Sequence, residues 1–164
     1  MLKKLGLIIL CCLMLVACGD DGLLDKINEQ RPEYAGEYGD VLNQWYFDTY
    51  FRGCKVPDDF VTKKMAADIK KVIKAHKKIK GESEESPIDE ETALDIAMAV
   101  IMNFRPSFFE EPTVYRITYR PDDDVYYIWI ADKSYQVGVL DGGIDIRQGI
   151  SRKDGTPLYY WVQG

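Results

Sequence analysis

At Pro112 the hydrophobic pattern of this chain changes period, and that switch limits the possible fold more than any other feature. Upstream, apolar residues recur every three or four positions, as on one face of a helix; downstream they alternate, as on one face of a half-buried strand. Helices first and strands after predict an α+β domain, with about three N-terminal helices (40–104) packed on one face of a C-terminal sheet (112–164). Strands are expected at Thr113–Arg120, Val125–Ala131, Tyr135–Leu140, Ile144–Ile150 and Leu158–Gln163. Pro121-Asp122-Asp123-Asp124, Asp132-Lys133-Ser134, Asp141-Gly142-Gly143 and Asp154-Gly155 supply the turn chemistry between them. Links this short join antiparallel neighbours, so the expected sheet is a five-stranded antiparallel meander.

Three segments read as the helices. Asp40 can cap one that carries Trp45, Tyr46 and Tyr50 up to Arg52-Gly53. A second is expected to start at Pro57-Asp58-Asp59 and end at Gly81, with Val61, Met65, Ile69, Val72, Ile73, His76 and Ile79 on its apolar face. Lysines 63, 64, 70, 71, 74, 77 and 78 fill the opposite face, which reads either as a solvated surface or as a contact for anionic headgroups or cell-wall carboxylates. The third is expected to take Ser86 as its cap and Pro87 in its first turn; it is apolar nearly all round from Ala93 to Met102, and Arg105-Pro106 ends it.

The amino terminus follows a different grammar. Lys3 and Lys4 precede an apolar run from Leu5 to Val16 and then a small residue, Ala17. These are the three parts of a secretory signal, and the run is well short of the ~20 residues that a membrane-spanning helix needs. Cys18 follows Leu15-Val16-Ala17 directly, and this stretch resembles the lipobox of bacterial lipoproteins. The resemblance covers only the first eighteen residues. It implies cleavage after residue 17, a lipid attached to Cys18, and anchoring in the cell envelope. In that family an aspartate directly after the cysteine favours inner-membrane retention; here that position is Gly19, so the expected site is the periplasmic leaflet of the outer membrane. Residues 18–39, polar and broken by Gly22, Pro32, Gly36 and Gly39, are expected to be a lipidated tether with at most a turn or two of helix, and 40–164 a single domain.

Losing residues 1–17 removes two of the 21 basic side chains and none of the 27 acidic ones, leaving a formal charge of −8. Nucleic acid is therefore not an expected partner. Cys11 and Cys12 leave with the signal, and Cys18 would carry the lipid, so Cys54 is the sole remaining thiol. His76 is the single histidine, which argues against both a zinc site and a serine triad. There is no phosphate-binding glycine loop, nucleophile elbow or internal repeat; no metal or cofactor is expected.

Alternation sends Tyr115, Ile117, Tyr119, Ile144, Ile146, Ile150, Leu158, Tyr160 and Val162 toward the helices; in Val125–Ala131 both faces are apolar, so either Tyr127 and Trp129 or Tyr126, Ile128 and Ile130 face outward, and isoleucine's fit to a core favours Tyr127 and Trp129 outside. The other face then collects Arg116, Tyr127, Trp129, Arg147, Tyr159 and Trp161, with Gly138 and Gly149 between them. Aromatic residues and arginines dominate binding hot spots, so this is the candidate binding face for another envelope protein or a glycan. The expected function is a lipid-anchored, non-enzymatic binding or accessory module, such as an assembly factor, an inhibitor or an immunity protein. One alternative is a cell-wall or glycan hydrolase using Glu110, Glu111 and the turn aspartates as paired carboxylates. Another is a structural linker from membrane to cell wall.

Overall fold

A computed structural model describes residues 22–35, 54–133 and 143–163. The architecture is α+β: three helices and a five-stranded mixed sheet among the described residues. In chain order the elements are α1 (Leu23–Glu29), β1 (Glu33–Tyr34), α2 (Lys63–Lys80), α3 (Glu90–Phe104), β2 (Thr113–Arg120), β3 (Val125–Asp132), β4 (Asp145–Ser151) and β5 (Pro157–Gln163). The sheet order is β1-β2-β3-β4-β5. Strands β2 to β5 form the antiparallel meander that turn chemistry predicts, whereas β1 pairs parallel with β2, Glu33 opposite Val114. The sheet is therefore mixed. Its fifth described strand, β1, lies between α1 and α2 in the chain.

The segment expected at Tyr135–Leu140 lies outside the described residues, as does the expected helix from Asp40 to Arg52. The strands flanking the first of these, β3 and β4, are direct neighbours, with Trp129 opposite Arg147. The stretch expected to be a tether also departs from its reading. Leu23 and Ile27 are buried in the main hydrophobic cluster, and the Ala35 amide donates to the Tyr115 carbonyl. Two apolar residues one helical turn apart were enough to dock α1, so residues 23–34 belong to the fold.

Both long helices start later than proline and acidic residues suggest. The Thr62 hydroxyl accepts from the Met65 amide and caps α2, leaving Pro57-Asp58-Asp59 in the preceding turn. The Asp89 carboxylate accepts from both the amide and the hydroxyl of Thr92 and caps α3, displacing Ser86 from that role. A cap must lie where the chain turns from extended to helical, and Asp89, with φ −102° and ψ 179°, is that residue. Gly81 ends α2 in the left-handed conformation.

The Asp89 cap yields a pH prediction. Burial works to raise its carboxyl, but hydrogen bonds from Lys80 and from Thr92 outweigh it and hold the group down to about 2, against an ordinary value of 3.8. A depressed carboxyl contributes stability that is fully present above its unfolded value and is lost as pH falls through the folded one. The side chain is 48% exposed, so screening limits the contribution to about 1 kcal/mol or less. Asp89→Asn is expected to flatten the acid limb of stability between pH 3.8 and about 2, read as urea midpoints across that range.

The core lies between α3 and one face of the sheet. Residues 92–101 of α3 are all buried, and they share a cluster with Tyr126, Ile128, Ile130, Ile146 and Ile150. Period two thus places Tyr126, Ile128 and Ile130 inward, as expected. Gln148 points the same way, and its Nε2 donates to the Ala97 carbonyl at 3.0 Å, tying β4 to α3. Leu158 does not follow the alternation: it packs with Val125, Tyr127 and Tyr159 on the other face. A register shift pairs Gly149 with Tyr159 but Ile150 with Pro157, so Leu158 is the extra residue of a bulge.

Candidate functional site: a buried aromatic face and an acidic cleft

Cross-strand register builds the aromatic face row by row, because residues directly opposite in a sheet share a side. Arg116, Trp129, Arg147 and Trp161 are successive partners across β2, β3, β4 and β5. Thr118, Tyr127, Gly149 and Tyr159 form the next row. All six candidate binding residues therefore come together in two adjacent rows. Gly149 makes the second row possible: a Cβ there would meet Tyr159 Cδ2 at 2.5 Å, and its absence lets Tyr159 stack on Tyr127 with ring centroids 5.9 Å apart.

The polar groups of the first row converge on Asp145. Trp129 Nε1 donates to Asp145 Oδ2 at 3.0 Å, and Arg147 Nε and Nη2 donate to the same oxygen at 2.9 and 2.7 Å. The Arg147 guanidinium also lies 4.7 Å from the centroid of the Trp161 ring, in cation–π range. Among the described residues Asp145 Oδ1 has no hydrogen-bond partner. A carboxylate so enclosed is tolerable because its charge is cancelled within hydrogen-bond distance.

This face is not the open surface that alternation suggests. Trp129 is 6% exposed, Arg147 5%, Tyr127 3% and Asp145 0%. Arg116, Tyr159 and Trp161 are half-buried. Burial holds the Tyr127 phenol neutral far above the ordinary range, with Tyr159 and Asp123 adding to the effect. Alternation says which side a residue faces and nothing about what covers that side, so the exposed recognition surface is corrected to a largely buried second face. Cys54 is half-buried near the same face; burial pushes its thiol up while Arg147 pulls the other way. Its carbonyl accepts from the Tyr160 amide, on the edge of β5.

A second constellation was missed in the sequence. Asp95 of α3 is 3% exposed and lies between two basic partners: Arg31 Nη2 donates to Oδ1 at 2.6 Å, and His76 Nε2 is 2.7 Å from Oδ2. The carboxylate ties α2, α3 and the residues leaving α1 to one point. The signals were there, a lone acid within the apolar run from Ala93 to Met102 and a lone histidine in an apolar stripe. Neither could be matched to the other without the helix packing. Asp68 plays a similar part between α2 and α3, accepting from Lys64 Nζ at 2.7 Å and from Asn103 Nδ2 at 2.9 Å. Lys77, read as part of the basic face, is buried, with its amine on the carbonyls of Glu84 and Ser86. Ile79, read as apolar-face, is 82% exposed.

The paired-carboxylate alternative meets a geometric limit. Glu110 and Glu111 precede β2, while Asp122, Asp123 and Asp124 follow it, and eight residues of strand put about 25 Å between the two groups. Carboxylates that share a glycosidic bond sit within about 10 Å. Asp145 is fully buried and committed to Arg147. Glu110 and Glu111 instead line a cleft of about 320 Å³ with Glu29, Gln30, Arg31, Glu33, Phe109, Pro112 and Thr113. Of these, Glu33 is bridged to Lys133 at 2.7 Å. Among the described residues no group of three or more histidine, cysteine, aspartate or glutamate side chains is placed to hold a metal ion. Comparison with family models, curated proteins and solved structures yields no match to this chain.

Proposed function

We propose that this chain is a lipid-anchored protein of the bacterial cell envelope, attached through Cys18 at the periplasmic leaflet of the outer membrane. It acts there as a non-enzymatic binding or accessory module, such as an assembly factor, an inhibitor or an immunity protein, with its helices layered on one face of the sheet. The observation that carries the reading is the run Lys3-Lys4, Leu5 to Val16, then Leu15-Val16-Ala17-Cys18. Two or three acyl chains at Cys18 would hold the domain firmly, since one chain alone is marginal. Among the described residues no helix is long and apolar enough to cross a membrane, so the lipid is the anchor this reading needs.

The test is direct. The wild-type protein is expected to incorporate labelled palmitate, lose its first seventeen residues and float with membranes, while Cys18→Ala does none of these. Label in the Cys18→Ala protein would overturn the reading. Crosslinking in the native membrane, followed by mass spectrometry, is expected to recover an envelope protein or glycan as the bound partner. A second reading, a cell-wall or glycan hydrolase, is favoured only by the convergence of Glu29, Glu33, Glu110 and Glu111 on one cleft. It predicts turnover of peptidoglycan that Glu111→Gln abolishes.

A further inference from the structure

Charge is unevenly divided in this protein. The helix α2 carries eight lysines and a single acid, Asp68, a formal +7, while the whole chain stands at −6, so everything outside α2 sums to −13. Asp68 is buried and already bonded to Lys64 and Asn103. Lys77 and Lys80 are occupied too, the first on backbone carbonyls and the second on Asp89. Apart from half-buried Lys71, what remains is Lys63, Lys70, Lys74 and Lys78, all exposed and none in an ion pair with a described residue. At 100° per residue these four fall within an arc of about 80°, opposite the buried Met65, Ile69 and Val72. No acidic residue of α2 shares that arc.

We propose that this lysine stripe rests on the anionic phospholipid surface to which the amino terminus is anchored, and so sets the orientation of the domain on the membrane. The inference depends on the anchored reading above. An anionic surface attracts the stripe and repels the acidic remainder, so the two effects turn the molecule the same way. Screening confines the attraction to charges within about 8 Å of the surface, and the anchor keeps the domain near it. Leu23 begins α1 only five residues after Cys18, at most about 18 Å of chain. At its far end the α1 segment is joined to α2 by the Arg31, Asp95 and His76 cluster, on the side of α2 away from the stripe, so the stripe itself is left facing outward. A docked α1 keeps the whole domain close to the lipid surface, where a long tether would let it drift away.

The acylated mature protein, reconstituted into vesicles of phosphatidylcholine alone or with about 30% phosphatidylglycerol, is labelled briefly with an amine-acetylating reagent and mapped by mass spectrometry. Lys63, Lys70, Lys74 and Lys78 are expected to react at least about threefold more slowly on the anionic vesicles. Exposed Lys153 serves as the internal reference. The protection is expected to vanish in about 0.5 M salt. A variant with Lys70, Lys74 and Lys78 changed to glutamine is expected to lose the protection of Lys63 as well. Equal labelling on both vesicle types, with the protein still floating, overturns the proposal. Protection on phosphatidylcholine by added peptidoglycan fragments, without protection by phosphatidylglycerol, also overturns it. A protein that floats with neither vesicle refutes the anchored reading instead.

Discussion

Replacing Asp145 with alanine is expected to destabilise the fold by about 3–5 kcal/mol, because it removes the carboxylate 2.7 Å from the buried Arg147 guanidinium. The Trp129 indole N–H loses its acceptor in the same step. The cost is mostly that of taking this carboxylate away from a buried cation and a buried indole rather than the net worth of the pair. Asp145→Leu combined with Arg147→Met is therefore expected to cost much less than Asp145→Ala alone. Urea unfolding followed by tryptophan fluorescence checks both, since Trp129 and Trp161 flank the pair. Equal destabilisation of the single and double variants would mean that the face is held by packing alone. The distinction bears on function: a face whose charges are spent on one another stabilises the sheet first.

Asp95→Ala is expected to cost about 2–3 kcal/mol, less than Asp145→Ala because Arg31 is partly exposed and water takes over some of its charge. Its consequence is local as well as global. Asp95 is where the residues leaving α1 are fastened to α2 and α3, so its loss should release the amino-terminal segment before the rest unfolds. Limited proteolysis is expected to cut first between residues 29 and 35 in the variant and not in the wild type. Arg31→Met, which leaves the His76 contact in place, is expected to show the early cut with a smaller loss of global stability. Uniform cleavage across the domain would show instead that Asp95 supports only the helix pair.

Much of the architecture could be read before any coordinates. The bounds of Thr113–Arg120 are those expected, Val125–Asp132 and Pro157–Gln163 each differ from expectation by one residue at one end, and Asp145–Ser151 is shifted by one residue at both. In β3, where both faces are apolar, alternation left two choices, and the structure takes the favoured one, with Ile128 and Ile130 inward and Trp129 on the other side. What failed did so for lack of long-range information. Glu33-Tyr34 is too short to show a period, and only the exposed edge of β2 makes it a strand. Leu158 obeys alternation in sequence and breaks it in space, because the bulge appears only when β5 is laid against β4.

The candidate site divides the same way. Sequence alone determined the amphipathic pattern, the turn residues, the lysine run and the lipobox-like amino terminus, because each is a local matter of spacing and residue chemistry. Tertiary structure alone decided that Tyr127, Trp129 and Arg147 are buried, that Asp145 neutralises Arg147, and that Asp95 joins Arg31 to His76. Those facts depend on which elements meet. A polar residue in an apolar stripe announces that it needs a partner, but the partner, nineteen or sixty-four residues away, is chosen by packing.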